Sequence, residues 1–128
     1  MQKNAHSILI IDDDSSVRTP LVKSFTREGF NILEAFDGAA GLEVAMAKHP
    51  DIILLDLLMP VMDGMTMLKK LRQDAWGKEA RVIILTNDDS LEPMADALGE
   101  QAFDYLIKSN WKMSAVVTKV KQRLALQV

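Results

Sequence analysis

The sequence predicts one α/β domain of (βα)5 type, a doubly wound parallel sheet of five strands in the order 2-1-3-4-5 with helices on both faces. Three observations predict it. Ile8-Leu9-Ile10-Ile11, Ile52-Ile53-Leu54-Leu55 and Val82-Ile83-Ile84-Leu85 are apolar runs rich in β-branched residues without polar alternation, as strands covered on both faces are. Segments with apolar residues at helical spacing lie between these runs. The chain has 128 residues, 48% of them apolar, which suffices for one core and is too short for two.

Taken in order, the first run is followed by Val17, Leu21 and Phe25, one face of a first helix that Gly29 should stop. Pro20 falls about a turn into that helix, where it removes a backbone donor, so a bend or a late helix start is expected. Residues 31–35 mix polar with apolar side chains, which suits an edge strand. Asp37-Gly38, Pro50, Asp63-Gly64 and Gly77 punctuate the later joins. Leu42, Ala45 and Met46 mark the second helix, and Met65, Leu68 and Leu71 the third. Leu91, Met94, Ala95 and Leu98 mark a fourth. Residues 103–107 read as the other edge strand, and Met113, Val116, Val117, Val120 and Leu124 form the stripe of a last helix.

Composition narrows the function. Cysteine is absent, which excludes disulfides, thiol nucleophiles and thiolate zinc sites and is compatible with a reducing cytosol. No apolar run approaches the roughly 20 residues that span a bilayer, and residues 1–4 lack the pattern of a signal peptide. A cytoplasmic domain without membrane insertion is expected. Net charge is -3, and lysine and arginine are scattered among acids rather than gathered into a stripe, so direct nucleic-acid binding is not expected. Residues 1–64 hold ten acids against five bases, with Asp12, Asp13, Asp14, Asp56 and Asp63 suggesting a site that wants a cation.

Ligands of doubly wound folds bind at the carboxyl ends of the strands. The residues there are Asp12, Asp13 and Asp14 after the first strand, Asp56 after the third, Thr86 after the fourth and Lys108 after the fifth. Asp12, Asp13 and Asp56 should converge, and their mutual repulsion calls for a divalent cation, with Lys108 as a second counter-charge. All-oxygen ligands select a hard ion, and Mg2+ fits best because it leaves positions open for phosphate oxygens. With such an ion present, Asp56 can attack phosphorus, while Thr86 and Lys108 can hold the equatorial oxygens. Any one of these residues alone would more often be a solvated loop or cap residue. Their coincidence at four strand ends favours a functional set.

These residues bring a family into view. The stretches Ile8 to Asp14, Asp51-Ile52-Ile53-Leu54-Leu55-Asp56-Leu57-Leu58-Met59-Pro60-Val61-Met62-Asp63-Gly64, Val82 to Thr86 and Asp104-Tyr105-Leu106-Ile107-Lys108 resemble the receiver domain of bacterial two-component response regulators, of the single-domain chemotaxis-regulator type. The resemblance spans about residues 7–126, so the whole chain, 1–128, is expected to be a single receiver domain. It implies a flavodoxin-like fold, with Asp56 as phosphoacceptor and Asp12, Asp13, Asp56 and the backbone carbonyl of Leu58 around Mg2+. It also implies that Thr86 and Lys108 grip the phosphoryl group and that Tyr105 acts with Thr86 as a switch. The implied donor is a sensor histidine kinase or phosphotransfer protein in a phosphorelay, and the implied output is a changed binding face, formed by the fourth and fifth helices and fifth strand, for a downstream protein.

The chain also departs from the family. Ser109 stands where a proline, often in a cis peptide, usually follows the lysine, and a cis bond before a non-proline costs about 2.5–4 kcal/mol. Ser109 or Asn110 is then a candidate N-cap for the last helix. Asn87 follows Thr86 where a small residue is usual, and Leu58 and Asp88 occupy positions that tune phosphate lifetime. A signalling phosphoacceptor with intrinsic autodephosphorylation is expected, not a turnover enzyme. An aspartyl phosphatase of haloacid-dehalogenase type needs a second acid two residues after the nucleophile, where this chain has Leu58. A flavin-binding version is weaker still, since Asp12 to Asp14 would repel a phosphate. The remaining rival is a phosphorylation-independent receiver-like interaction module.

Overall fold

The computed structural model describes residues 6–57, 59–86, 104–107 and 112–125, without the side chains of Thr86, Asp104, Tyr105 and Ile107. Five parallel strands, β1 (Ser7–Ile11), β2 (Asn31–Ala35), β3 (Ile52–Asp56), β4 (Val82–Thr86) and β5 (Asp104–Ile107), form one sheet in the order β2-β1-β3-β4-β5. The apolar runs are the three inner strands, and the mixed segments are the two edges, as their composition requires. The described helices are α1 (Ser15–Arg27), α2 (Gly38–Lys48), α3 (Gly64–Arg72), a short 3-10 turn (Gly77–Glu79) and a C-terminal helix (Met113–Arg123). The helix expected over Leu91 to Leu98 lies outside the described residues.

Strand parity divides the core in two. Leu9, Ile11, Ile53, Leu55, Val82 and Ile84 face Ala45 of α2 and Met67, Leu68 and Leu71 of α3. Ile8, Ile10, Ile52, Leu54, Ile83 and Leu85 face Leu21 and Phe25 of α1 and Val116 and Val120 of the C-terminal helix. Burying each such side chain contributes about 1.5–3 kcal/mol relative to leaving it in water. Because consecutive strand residues serve opposite cores, no position in these runs tolerates a polar residue, which is why alternation is missing.

The helix ends follow local chemistry. Asp14, Asp37 and Asp63 cap α1, α2 and α3, their carboxylates accepting from the backbone N–H of Ser16, Ala40 and Thr66 at 2.9, 2.8 and 2.8 Å. At the end of α1, Gly29 takes φ 87°, Gly29 N–H donates to Thr26 O and Phe30 N–H donates to Phe25 O, both at 3.0 Å. This left-handed glycine turn brings Phe30 edge-on to Phe25 with ring centroids 5.2 Å apart.

One sequence expectation is corrected and another narrowed. Of the two outcomes expected at Pro20, the late start does not occur, because Ser15 already opens the helix and Pro20 lies inside it. Pro20 is exposed, so the carbonyl that loses its intrahelical donor can be hydrated. The last helix is capped by neither Ser109 nor Asn110: its N-cap is Lys112, in extended geometry and without a side-chain capping bond.

Candidate metal centre at the carboxyl edge

β1 ends one residue before Asp12, and β3 ends on Asp56. The two strands are direct neighbours with Ile11 opposite Leu55, so their carboxyl ends open on the same spot. One carboxylate oxygen each from Asp12, Asp13 and Asp56 lies within 4.8 Å of the others. Asp12 and Asp56 are buried, and Asp13 is exposed. At that separation each pair of like charges costs about 3 kcal/mol at an effective dielectric near 20. A hard divalent cation held there would convert that repulsion into attraction, and an all-carboxylate donor set suits a hard ion such as Mg2+.

The backbone around the pocket is held from several sides. Asp12 N–H donates to Ala35 O at 3.2 Å, and Asp12 Oδ1 accepts from Asp14 N–H at 3.0 Å. Gly64 N–H donates to Leu57 O at 3.0 Å, and a Cβ built at Gly64 would stand 2.2 Å from the carbonyl oxygen of Asp56. The glycine at the start of α3 therefore lets that helix press directly on the backbone of Asp56.

Between them, Met62 N–H donates to Pro60 O at 2.7 Å around Val61, whose φ is 67°. A three-residue turn with a β-branched residue in the left-handed region is strained by about 1–3 kcal/mol. Val61 is also 84% exposed. The bond from Gly38 N–H to Met62 O, 2.9 Å, ties this turn to the loop before α2.

The structure separates the five acids that looked like one cluster. Asp14 and Asp63 are helix caps rather than ligands, and the Thr66 backbone N–H, followed by its hydroxyl and the charge of Lys69, holds Asp63 below the usual carboxylate pKa. Of the other expected residues, Thr86 ends β4, one step past Leu85, the register partner of Asp56. Its own register partner is Ile107, the residue before Lys108. The backbone of Tyr105 pairs with Ile84 in β5. Leu58, Lys108 and its peptide to Ser109, and the side chains of Thr86 and Tyr105 lie outside the described residues, as do Asn87, Asp88 and the fourth helix of the expected output face, whose other elements are β5 and the C-terminal helix.

Sequence reasoning passed over Arg18. Its Nη1 donates to the carbonyl oxygen of Asp12 at 2.7 Å, its Nε donates to Glu34 at 3.3 Å, and its guanidinium lies 4.1 Å from the ring centroid of Phe36. The available signal was weak: an arginine on the first helix and an acid and an aromatic flanking the end of the second strand, with nothing in the sequence to pair them.

A doubly wound sheet with an oxygen-only acidic pocket at its carboxyl edge defines a flavodoxin-like α/β domain that can hold a hard cation. The chain belongs to the response regulator receiver domain family, whose model matches residues 8–121, and is thus a receiver domain of two-component signalling. It is 35% identical over 117 residues to the transcriptional regulatory protein PrrA of Mycobacterium tuberculosis, covering 91% of this chain and 49% of PrrA. It is 39% identical over 101 residues to the regulatory protein AtoC of Escherichia coli, covering 79% of this chain and 22% of AtoC. The chain therefore spans about half or less of the length of these relatives.

Among solved structures, a response regulator from Chloroflexus aurantiacus superposes with a TM-score of 0.85 at 31% identity, over 95% of this chain and 99% of that one. The chemotaxis response regulator CheY4 of Vibrio cholerae gives 0.82 at 25% identity, over 93% and 98%. Among the described residues, no helix is long and apolar enough to cross a membrane.

Proposed function

We propose that Asp56 is the phosphoacceptor of this receiver, taking a phosphoryl group from a phosphohistidine of a histidine kinase or phosphotransfer protein. The observation that carries this reading is the pocket itself: Asp56, 5% exposed, keeps a carboxylate oxygen within 4.8 Å of those of Asp12 and Asp13. Mg2+ held by these three side chains, with the Leu58 carbonyl as a further ligand, would supply charge neutralisation for the transferring group. Asp56 enters as a carboxylate, its oxygen forms the new bond to phosphorus, and the bond from phosphorus to the imidazole nitrogen breaks. The electron pair stays on the ring, which leaves as a neutral imidazole because its other nitrogen carries a proton.

Thr86 donates its hydroxyl to one equatorial oxygen and Lys108 pairs with another. The strand register supports this assignment, since it sets the backbones of Asp56, Leu85, Thr86 and Ile107 side by side. Tyr105 follows Thr86 as the switch, and the output is a changed protein-binding face presented to a downstream protein, not a surface for nucleic acid. Phosphorylation shifts that equilibrium only through contacts that differ between the two states. The chain acts in the cytoplasm as a phosphoacceptor with intrinsic autodephosphorylation, rather than as a turnover enzyme.

The test is labelling with a small-molecule phosphodonor. Wild type gains one hydroxylamine-labile phosphoryl group in the presence of Mg2+, and Asp56→Asn, checked by mass spectrometry for an intact amide, gains none. Equal labelling of that variant would overturn the assignment.

A further inference from the structure

We propose that Arg18 is a positioning residue for the cation pocket, one that fixes the Asp12–Asp13 peptide and thereby raises affinity for a divalent ion even though its own charge opposes that ion. The proposal rests on the reading of Asp12, Asp13 and Asp56 as a metal site. Arg18 stands on the second turn of α1, and its side chain is 13% exposed. Its planar fork divides between two elements. Nη1 reaches the carbonyl of Asp12 at 2.7 Å, and Nε reaches the carboxylate of Glu34 in β2 at 3.3 Å. The face of the same guanidinium lies over Phe36, 4.1 Å from its centroid. Phe36 is 57% exposed, an unusual position for a phenylalanine, and the stacked cation gives it a role there.

The peptide that Arg18 grips joins the two acids that β1 delivers to the pocket. Asp12 is otherwise held at its N–H by Ala35 and at Oδ1 by the Asp14 N–H. The carbonyl bond is the tether that sets rotation of the following peptide, and hence the direction from which Asp13 approaches. A charge-assisted bond from a stiff fork clamped on both sides holds that rotation far better than water would. Lysine would keep the charge and lose the fork.

Charge and geometry predict opposite signs, which makes the proposal decidable. Removing a cation near a divalent site should tighten binding if charge dominates. Removing a residue that orients a ligand typically weakens metal binding by about 10-fold or more. Mg2+ titration calorimetry on unphosphorylated wild type, Arg18→Ala, Arg18→Lys, Glu34→Gln and Phe36→Ala, each verified as folded by circular dichroism, separates the two.

We expect Arg18→Ala to weaken Mg2+ by about 10-fold and Arg18→Lys to recover only part of that loss. Glu34→Gln and Phe36→Ala, which loosen the guanidinium from its two supports, should each weaken binding about 2- to 3-fold, following the same ligand-orienting logic at smaller displacement. Unchanged or tighter binding by folded Arg18→Ala overturns the proposal while the metal site stands. Should Arg18→Ala fail to fold, wild-type affinity in both Glu34→Gln and Phe36→Ala overturns it equally. Absence of Mg2+ binding by wild type overturns the metal site and this inference together.

Discussion

Gly64 and Asp63 are adjacent, yet they act on the site by different physics. At Gly64 an alanine would ordinarily favour a helix by about 0.5–1 kcal/mol. Here its Cβ would meet the Asp56 carbonyl oxygen at 2.2 Å, and the overpacking penalty of about 1–3 kcal/mol wins. Chemical denaturation of Gly64→Ala should therefore show lower stability, and its Mg2+ affinity should fall with it. At Asp63 the carboxylate caps α3, so Asp63→Ala should cost about 0.5–2 kcal/mol at neutral pH.

The charged part of the Asp63 contribution has a definite pH dependence. Folding lowers the pKa of Asp63, chiefly through the Thr66 backbone N–H, so the stabilisation is present above the unfolded value and is lost as pH falls through the folded one. The stability gap between wild type and Asp63→Ala should thus stay flat from pH 7 to about 5 and shrink below the ordinary carboxylate pKa of about 4. A gap that widened on acidification would contradict this account of the cap. Composition alone grouped Asp14 and Asp63 with Asp12, Asp13 and Asp56; convergence at neighbouring strand ends picked out the last three as candidate ligands, and the fold assigns the first two to helix N-termini. An aspartate beside a glycine or serine serves a helix N-terminus as well as a cation, and only the fold decides which it meets.

Among the elements, α1 joins the core to the pocket. One face buries Leu21 and Phe25 against the sheet, another carries Arg18 to the Asp12 carbonyl, and its end is closed by Gly29 and Phe30. Phe25→Ala removes a fully buried ring and its edge-on partner, for an expected loss of about 3–5 kcal/mol by thermal or chemical denaturation. Gly29→Ala forces a side chain into φ 87° and should cost about 1–2 kcal/mol without changing the core.

The inner strands were legible because parallel strands buried on both faces must be apolar throughout. The Gly29 stop was legible because few residues other than glycine close a helix in this way. The effect of Pro20 was not, since its outcome depends on whether the freed carbonyl faces water, a property of the packed helix. Arg18 was illegible for a related reason: its partners Glu34 and Phe36 lie a whole helix and strand away in the sequence and meet it only after β2 pairs with β1.

At the scale of the molecule, the sheet order brings two neighbouring strand ends, β1 and β3, into one acidic corner, and the fold bears the electrostatic cost of that corner when no cation is bound. Binding should therefore stabilise the whole domain by mass action. At a Mg2+ concentration ten times the dissociation constant the gain is about 1.4 kcal/mol, enough to raise Tm by roughly 5 °C, and Asp13→Asn should lose most of it. Strand order and pocket location were both implied by alternating strand and helix segments with acids at the strand ends. The connecting geometry of the pocket, including the strained turn at Val61, was not, because it arises from loop closure between packed elements.

The most direct test is a Mg2+ titration of the unphosphorylated protein followed by backbone amide chemical shifts. The account predicts one saturable site, with the largest shifts at residues 12–14 and 56–57, and loss of saturation in Asp13→Asn. Non-saturating shifts, or saturable shifts centred away from the ends of β1 and β3, would contradict it.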